Sequence, residues 1–358
     1  MKNFLRVFLI ICLAALCLAD ISSCSLLEGG DGGTSTTARS TTTASATTTS
    51  PVSMTEPIPN GLTFEAVGDE GYAVDRYTGS ATELVIPSTY RGKPVVAIDA
   101  LAFWYCEELV RVTIPDGVTR IGDSAFCGCE SIESITIPDS VTHIGDRAFY
   151  ECEALESITI PNGVKRIEDY VFYECESLES ITIPDSVKHI GDYAFYGCDS
   201  LKTVSVGSGV ITIGSSAFYN CTNLKAVYIS DLAAWCEINF NGFYENSSNP
   251  LRYGAKLYLD NALVTSLVIP DSVTTIAPAA FYGCASLTSL TIPSSVTCIG
   301  EYAFYRCANL TSVTFETIDG WQASDWTAIS VSPADLAYEA IAAKTLKSTD
   351  VSHTWTRE

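Results

Sequence analysis

The chain has 358 residues, 47% of them hydrophobic, enough to build a core; 42 acidic side chains oppose 20 basic ones, giving a formal charge of −22. That sign is wrong for holding nucleic acid phosphates or an anionic membrane surface, and it excludes nucleic acid as the expected partner. It favours solubility.

Residues 1–23 read as a signal peptide. Lys2 and Arg6 precede the apolar run Val7 to Ala19, thirteen residues long and too short to span a bilayer. Ile21-Ser22-Ser23-Cys24 resembles the lipobox of bacterial lipoproteins, which implies a membrane anchor through acylated Cys24. An ordinary cleavage after Cys17-Leu18-Ala19 and plain secretion remain the alternative. Residues 24–57 then carry the anchor cysteine and a Ser/Thr-rich tract with no apolar period. Such a tract buries too little to offset its ordering entropy and reads as a flexible tether. No later stretch approaches the length of a transmembrane helix.

From Ile86 onward the chain repeats. Ile-Pro recurs at Ile114, Ile137, Ile160 and Ile183, always 23 residues apart; Val206 and Ile229 keep that period without the proline. A 40-residue step leads to Ile269 and Ile292, and an upstream copy at Ile86 is stretched to 28 residues. Within a unit, a segment such as Glu156-Ser-Ile-Thr-Ile160 alternates polar and β-branched residues, so it reads as a short strand with one face inward; the proline ends it. Ala-Phe-Tyr-x-Cys-x-x-Leu carries the three-to-four spacing of a short helical stretch. A single unit cannot hide two apolar faces, so the units must stack in register, forming a parallel sheet with neighbours ~4.8 Å apart.

The sequence of one unit, L-x-x-I-x-I-P-x-x-V-x-x-I-G-x-x-A-F-x-x-C, as in Leu155 to Cys175 with Glu168 replacing the glycine, resembles the BspA-like (bacterial surface antigen type) leucine-rich repeats. The resemblance runs from about Asn60 to the C-terminus. It implies an α/β repeat solenoid: a right-handed leucine-rich-repeat solenoid of 23-residue coils with a parallel β-sheet on one face. It also implies display on a cell surface and attachment to a protein or glycan on another cell or matrix, and it does not imply a substrate or a catalytic residue. No Ser-His-Asp, Cys-His, phosphate-loop or HExxH pattern appears, and no enzyme activity, cofactor or metal is expected. The asparagine ladder of commoner leucine-rich repeats is missing; Gly117, Ser140, Gly163 and Ser186 stand there.

The expected organisation is an N-terminal cap and first repeat over 58–100, repeats over 101–314 with an insert at 230–268, and a C-terminal cap over 315–358. The insert opens with a helical turn capped by Asp231 and ends in a hairpin turning at Asp260-Asn261. The tail holds Trp321, Trp326 and Trp355 and a candidate helix with Ser332 as N-cap and Pro333 at its first position.

Three files of side chains are candidates for chemistry. Cys106, Cys129, Cys152, Cys175, Cys198, Cys221, Cys284 and Cys307 share one phase. A straight file cannot converge four ligands on zinc, and parallel side chains with Cβ atoms ~4.8 Å apart disfavour relaxed disulfides, so a buried, reduced thiol ladder is expected. His143 and His189 are two coils apart, too far to share one metal. Tyr150, Tyr173, Tyr196 and Tyr219 form an aromatic file that either binds a glycan or peptide or merely stacks on itself. Glu153, Glu156, Glu176 and Glu179 form an acidic file, a solvated face or a collector of basic partners. The strand face offers Ser157, Thr159, Ser180 and Thr182 as a hydrogen-bonding platform.

Overall fold

A computed structural model describes residues 61–242, 248–323, 339–347 and 354–357. The signal segment, Cys24, the Ser/Thr tract, Trp326, Ser332 and Pro333 lie outside the described residues.

Most coils carry two short strands, and equivalent strands stack in parallel. One ladder runs through Glu83–Val85, Arg111–Thr113 and Ser134–Thr136, crosses to the next coil by a Ser134–Ser157 bridge, and continues through Ser180–Ile183, Thr203–Val206, Ala226–Ile229 and Lys256–Leu259. It resumes in a separate stack of Ser266–Val268, Ser289–Ile292 and Ser312–Phe315. The register, Ser180 opposite Thr203 and Thr203 opposite Ala226, is the sequence period made physical. Alternation then sends Ile181 and Ile183 inward and leaves Ser180 and Thr182 outside. The second ladder comprises two-residue strands such as His143–Ile144, Arg166–Ile167 and His189–Ile190, with the isoleucine buried each time.

The third side departs from the expected helical stretch. Arg147 and Glu151 adopt left-handed backbone (φ 55° and 54°), and every equivalent unit repeats a left-handed pair four residues apart. A helix cannot pass such residues. The N–H groups of Arg147, Phe149 and Glu151 turn instead to the carbonyls of Asp169, Val171 and Tyr173 in the next coil, at 3.0, 3.0 and 2.8 Å. One helical turn is marginal by itself; a third inter-coil ladder satisfies the same groups cooperatively.

The core follows from the repeat. Phe103, Phe126, Phe149, Phe172, Phe195 and Phe218 stack as a buried column with ring centroids 4.8 to 5.6 Å apart. The glycine of the Ile-Gly step is steric: a Cβ on Gly145 would lie 2.2 Å from Asp123 Oδ1 and 2.7 Å from its backbone nitrogen. The job of the absent asparagine ladder falls to aspartates at the following position. Asp123 Oδ1 accepts the Asp146 N–H (3.1 Å), Asp146 the Asp169 N–H (3.2 Å), Asp169 the Asp192 N–H (2.8 Å) and Asp192 the Ser215 N–H (2.6 Å). Ser140 and Ser186 hydroxyls donate to the carbonyls of Val118 and Val164, each at 2.7 Å.

The 40-residue step contains a further coil. Asp231 caps a helix over Leu232–Glu237 through the Ala234 N–H at 3.0 Å, and Trp235 on that helix is buried. Asn249 is fully buried; its Nδ2 donates to the carbonyls of Ala279 (2.6 Å) and Ala280 (3.1 Å), while Trp235 Nε1 donates to Ala280 at 3.0 Å. Side-chain donors of the insert thus reach the third side of the next coil. Lys256–Leu259 then pairs with Ala226–Ile229, and the chain turns back at Asp260-Asn261, both left-handed, into Ala262–Leu263.

At the start, Leu62–Val67 pairs antiparallel with Gly71–Tyr77, which lies parallel to Lys93–Ile98, while Tyr77 N–H reaches the Ala102 carbonyl at 2.8 Å. At the far end, Trp355–Arg357 closes the second ladder antiparallel to Cys298–Ile299, and Trp321 and Trp355 are buried. The described helix of the tail is Glu339–Leu346, with Ala342, Ala343 and Leu346 buried.

Candidate binding surface

The cysteine file lies inside except at its first member, Cys106, which is half-buried with its sulfur 3.9 Å from the Tyr77 carbonyl. Cys129, Cys152, Cys175, Cys198, Cys221, Cys284 and Cys307 are fully buried, and every cysteine among the described residues is a free thiol. The phase has a reason beyond volume. Each thiol donates to the phenylalanine carbonyl one coil back, as Cys175 to Phe149 and Cys198 to Phe172, both at 3.2 Å. Cys284 differs because the insert coil precedes it; its sulfur sits 3.5 Å from the Ser286 hydroxyl. Burial pushes the thiols of the file up, the half-buried Cys106 to about 11, and does the same to Cys236 outside the file, to about 12, so they present no thiolate at neutral pH.

The tyrosine file is half-buried and stacked on itself. Tyr150 and Tyr173 lie 4.7 Å apart with planes 2° from parallel, Tyr173 and Tyr196 4.8 Å apart at 4°, and Tyr196 and Tyr219 5.5 Å apart at 19°. The Arg252 guanidinium covers the far face of Tyr219 at 5.4 Å. Ring faces inside the column are therefore occupied by one another, and edges and hydroxyls are what the file offers. Burial, then the neighbouring carboxylates, pushes the hydroxyls of Tyr150 and Tyr173 well above the ordinary range. A second column, Tyr170 on Tyr193 at 4.9 Å, runs beside it with Arg147 over Tyr170 at 4.8 Å.

Among the acidic file, Glu156, Glu176 and Glu179 are exposed and Glu153 is half-buried. Glu179 pairs with Lys202 one coil on. His143 and His189 sit on the short second strands, and His189 Nδ1 meets the Thr212 hydroxyl at 2.8 Å.

The structure brings together a surface that the files do not include. An open groove of about 450 Å³ runs along the outward edge of the first ladder. Thr159, Thr182 and Ser205 supply hydroxyls from successive coils, and the turns behind them add Asn162 and Asp185. Tyr228 and the Asp260-Asn261 hairpin close one end. Asp185 Oδ1 is fixed by the Ser208 N–H at 2.7 Å and its hydroxyl at 3.1 Å. Tyr228 takes the strand position held by Thr182 and Ser205 in the two coils before it, and its ring stacks on Tyr258 in the next coil at 4.8 Å. The sequence signal was there: two tyrosines interrupt the Ser/Thr run just where the period breaks.

Comparison with known proteins fits this architecture. The family model described as BspA type leucine rich repeat region matches in six copies over residues 96–225 and 254–323, more than half of the chain. A leucine-rich repeat protein of T. pallidum is 30% identical over 57% of this chain and 97% of its own, with a TM-score of 0.48. One from Bacteroides ovatus is 30% identical, covering 73% and 71%, with a TM-score of 0.47. A leucine rich cell surface protein from Faecalibacterium prausnitzii is 26% identical, covering 71% and 75%, with a TM-score of 0.40. No curated protein matches the chain. The matched repeats are the same 23-residue coils whose strands, phenylalanines and cysteines stack here, and the chain belongs to the BspA-type leucine-rich repeat family.

Proposed function

We propose that this protein is a non-catalytic binding solenoid displayed outside the cell, lipid-anchored through Cys24, which engages a protein or glycan on another cell or matrix. The observation that carries this reading is the exposed strand face with its adjoining groove, continuous over successive coils and ending at the Asp260-Asn261 hairpin. Stacked parallel coils present equivalent groups at ~4.8 Å intervals, so contacts accumulate along the rod without any single reactive residue. Family membership supports a surface role, and the signal segment and Ser/Thr tract support a tether that holds the coils away from a membrane.

The test uses the full chain produced in a bacterial host. Expected is metabolic labelling with a lipid precursor that is lost in Cys24→Ala, surface accessibility to an impermeant reagent, and retention of a ligand from host-cell or neighbour-cell surfaces. A protein that stays inside the cell, or that retains nothing from either surface, would sink the reading.

A further inference from the structure

The tyrosine column is the obvious aromatic feature, yet the ring faces inside it are filled. Tyr228 is different. Its neighbours in register are Tyr258 on one side and Ser205 on the other. Tyr258 covers one face at 4.8 Å, whereas Ser205 ends at its hydroxyl and lines the groove beside the ring. One aromatic face thus looks into a cavity of about 450 Å³, a size typical of small-ligand sites.

We infer that this groove binds a short stretch of neutral sugar chain, one sugar stacking on Tyr228 and its hydroxyls meeting Thr182, Ser205, Asp185, Asp260 and Asn261. The inference rests on the reading of the protein as a binding solenoid. Sugar rings have an apolar C–H face, which suits the negative face of a tyrosine ring, and an equatorial belt of hydroxyls, each both donor and acceptor. The groove supplies that complement: an aromatic face, carboxylate and amide acceptors, and hydroxyl and amide donors. Asp185 is already held by Ser208, so one acceptor is set before a ligand arrives.

Charge and backbone narrow the class. The lining includes Asp139, Asp185 and Asp260 and no Lys or Arg, which repels uronates, sulfates and phosphates. An extended peptide would need free strand N–H and C=O groups to add to a sheet edge. Here Thr203–Val206 and Ala226–Ile229 are each paired in parallel on both sides, and Ser180–Ile183 is paired with Thr203–Val206, so beside Tyr228 side chains and one ring face are what the groove offers.

The test is calorimetric titration of the purified full chain with hexamers of glucose, mannose, xylose, galactose and N-acetylglucosamine. Oligogalacturonate and hexalysine serve as anionic and cationic probes. Expected is binding of at least one neutral hexamer, weakened about tenfold or more in Tyr228→Ala and retained in Tyr228→Phe. Ser205→Tyr extends the Tyr228–Tyr258 stack over the open face and should abolish binding with the melting temperature kept, which separates blockage from misfolding. Tyr173→Ala should leave it unchanged. Binding of none of the neutral hexamers overturns the inference, as does Tyr228-dependent binding of hexalysine, which would assign the groove to a basic peptide. A ligand retained from cell surfaces with equal affinity by Ser205→Tyr also overturns it, while leaving the binding-solenoid reading standing.

Discussion

Cys152 Sγ lies 3.2 Å from the carbonyl oxygen of Phe126, and that oxygen also accepts the backbone N–H of Cys129 at 3.2 Å. The thiol fills the second lone pair of a buried acceptor one coil back, so the cysteine is at once a small apolar filler and a weak inter-coil donor. Cys152→Ala is expected to lower stability by about 1–2 kcal/mol, through lost volume and the unfilled acceptor. Denaturant titration measures it. Thiol reagents should leave the seven fully buried members of the file untouched in the native protein and modify them fully after unfolding, without any reductant.

Tyr173 sits between Tyr150 and Tyr196 as one rung of a nearly parallel stack. A double-mutant cycle on Tyr173→Ala and Tyr196→Ala is expected to give a coupling of about 0.5–1.5 kcal/mol, the size of a stacked aromatic pair. Zero coupling would show that the rings contribute nothing to coil-to-coil cohesion.

Asp146 belongs to a column of carboxylates, and burial followed by the Asp123 charge raises it above the ordinary carboxylate value. A carboxyl raised in the folded state costs stability above its folded pKa, and that cost disappears as pH falls through it. Asp146→Asn keeps an acceptor oxygen for the Asp169 N–H and removes the charge. The variant should melt higher than the parent at pH 7, and the gain should shrink to nothing as pH approaches about 4. A gain constant across that range would reject charge as the cause.

Asn249 joins the two stacks on either side of the insert. Its Oδ1 accepts the Leu251 N–H at 2.7 Å while Nδ2 serves Ala279 and Ala280, all buried. Asn249→Ala strands at least two polar groups and should cost about 2 kcal/mol or more. In a stack held by nearest-neighbour interfaces, the loss should appear locally. Hydrogen exchange is expected to speed up from residue 264 onward and to stay unchanged in the coils before Leu224.

Much of this architecture was legible because a repeat writes the same physical demand many times. Ile181, Phe172 and Cys175 recur at one phase since every coil needs the same wall, and the hairpin at Asp260-Asn261 and the cap at Asp231 follow from local backbone chemistry. The third side reads as helical in the sequence and is not, because Arg147 and Glu151 adopt left-handed backbone only when the next coil receives their N–H groups. The aspartate column escaped notice for a similar reason: Asp123, Asp146, Asp169 and Asp192 are visibly periodic, yet what each carboxylate accepts is set one coil away.

The sequence by itself determined the period, the inward residues of each coil and the family, since these depend on local spacing and on the need of each unit for a neighbour. Only the tertiary structure decided which aromatic faces stay open. Tyr150 to Tyr219 and Tyr228 look alike as letters, but the rings of the first group cover one another while Tyr228 meets Ser205. Exposure of a ring face depends on the residue 23 positions away, and so on the register of stacking rather than on the ring.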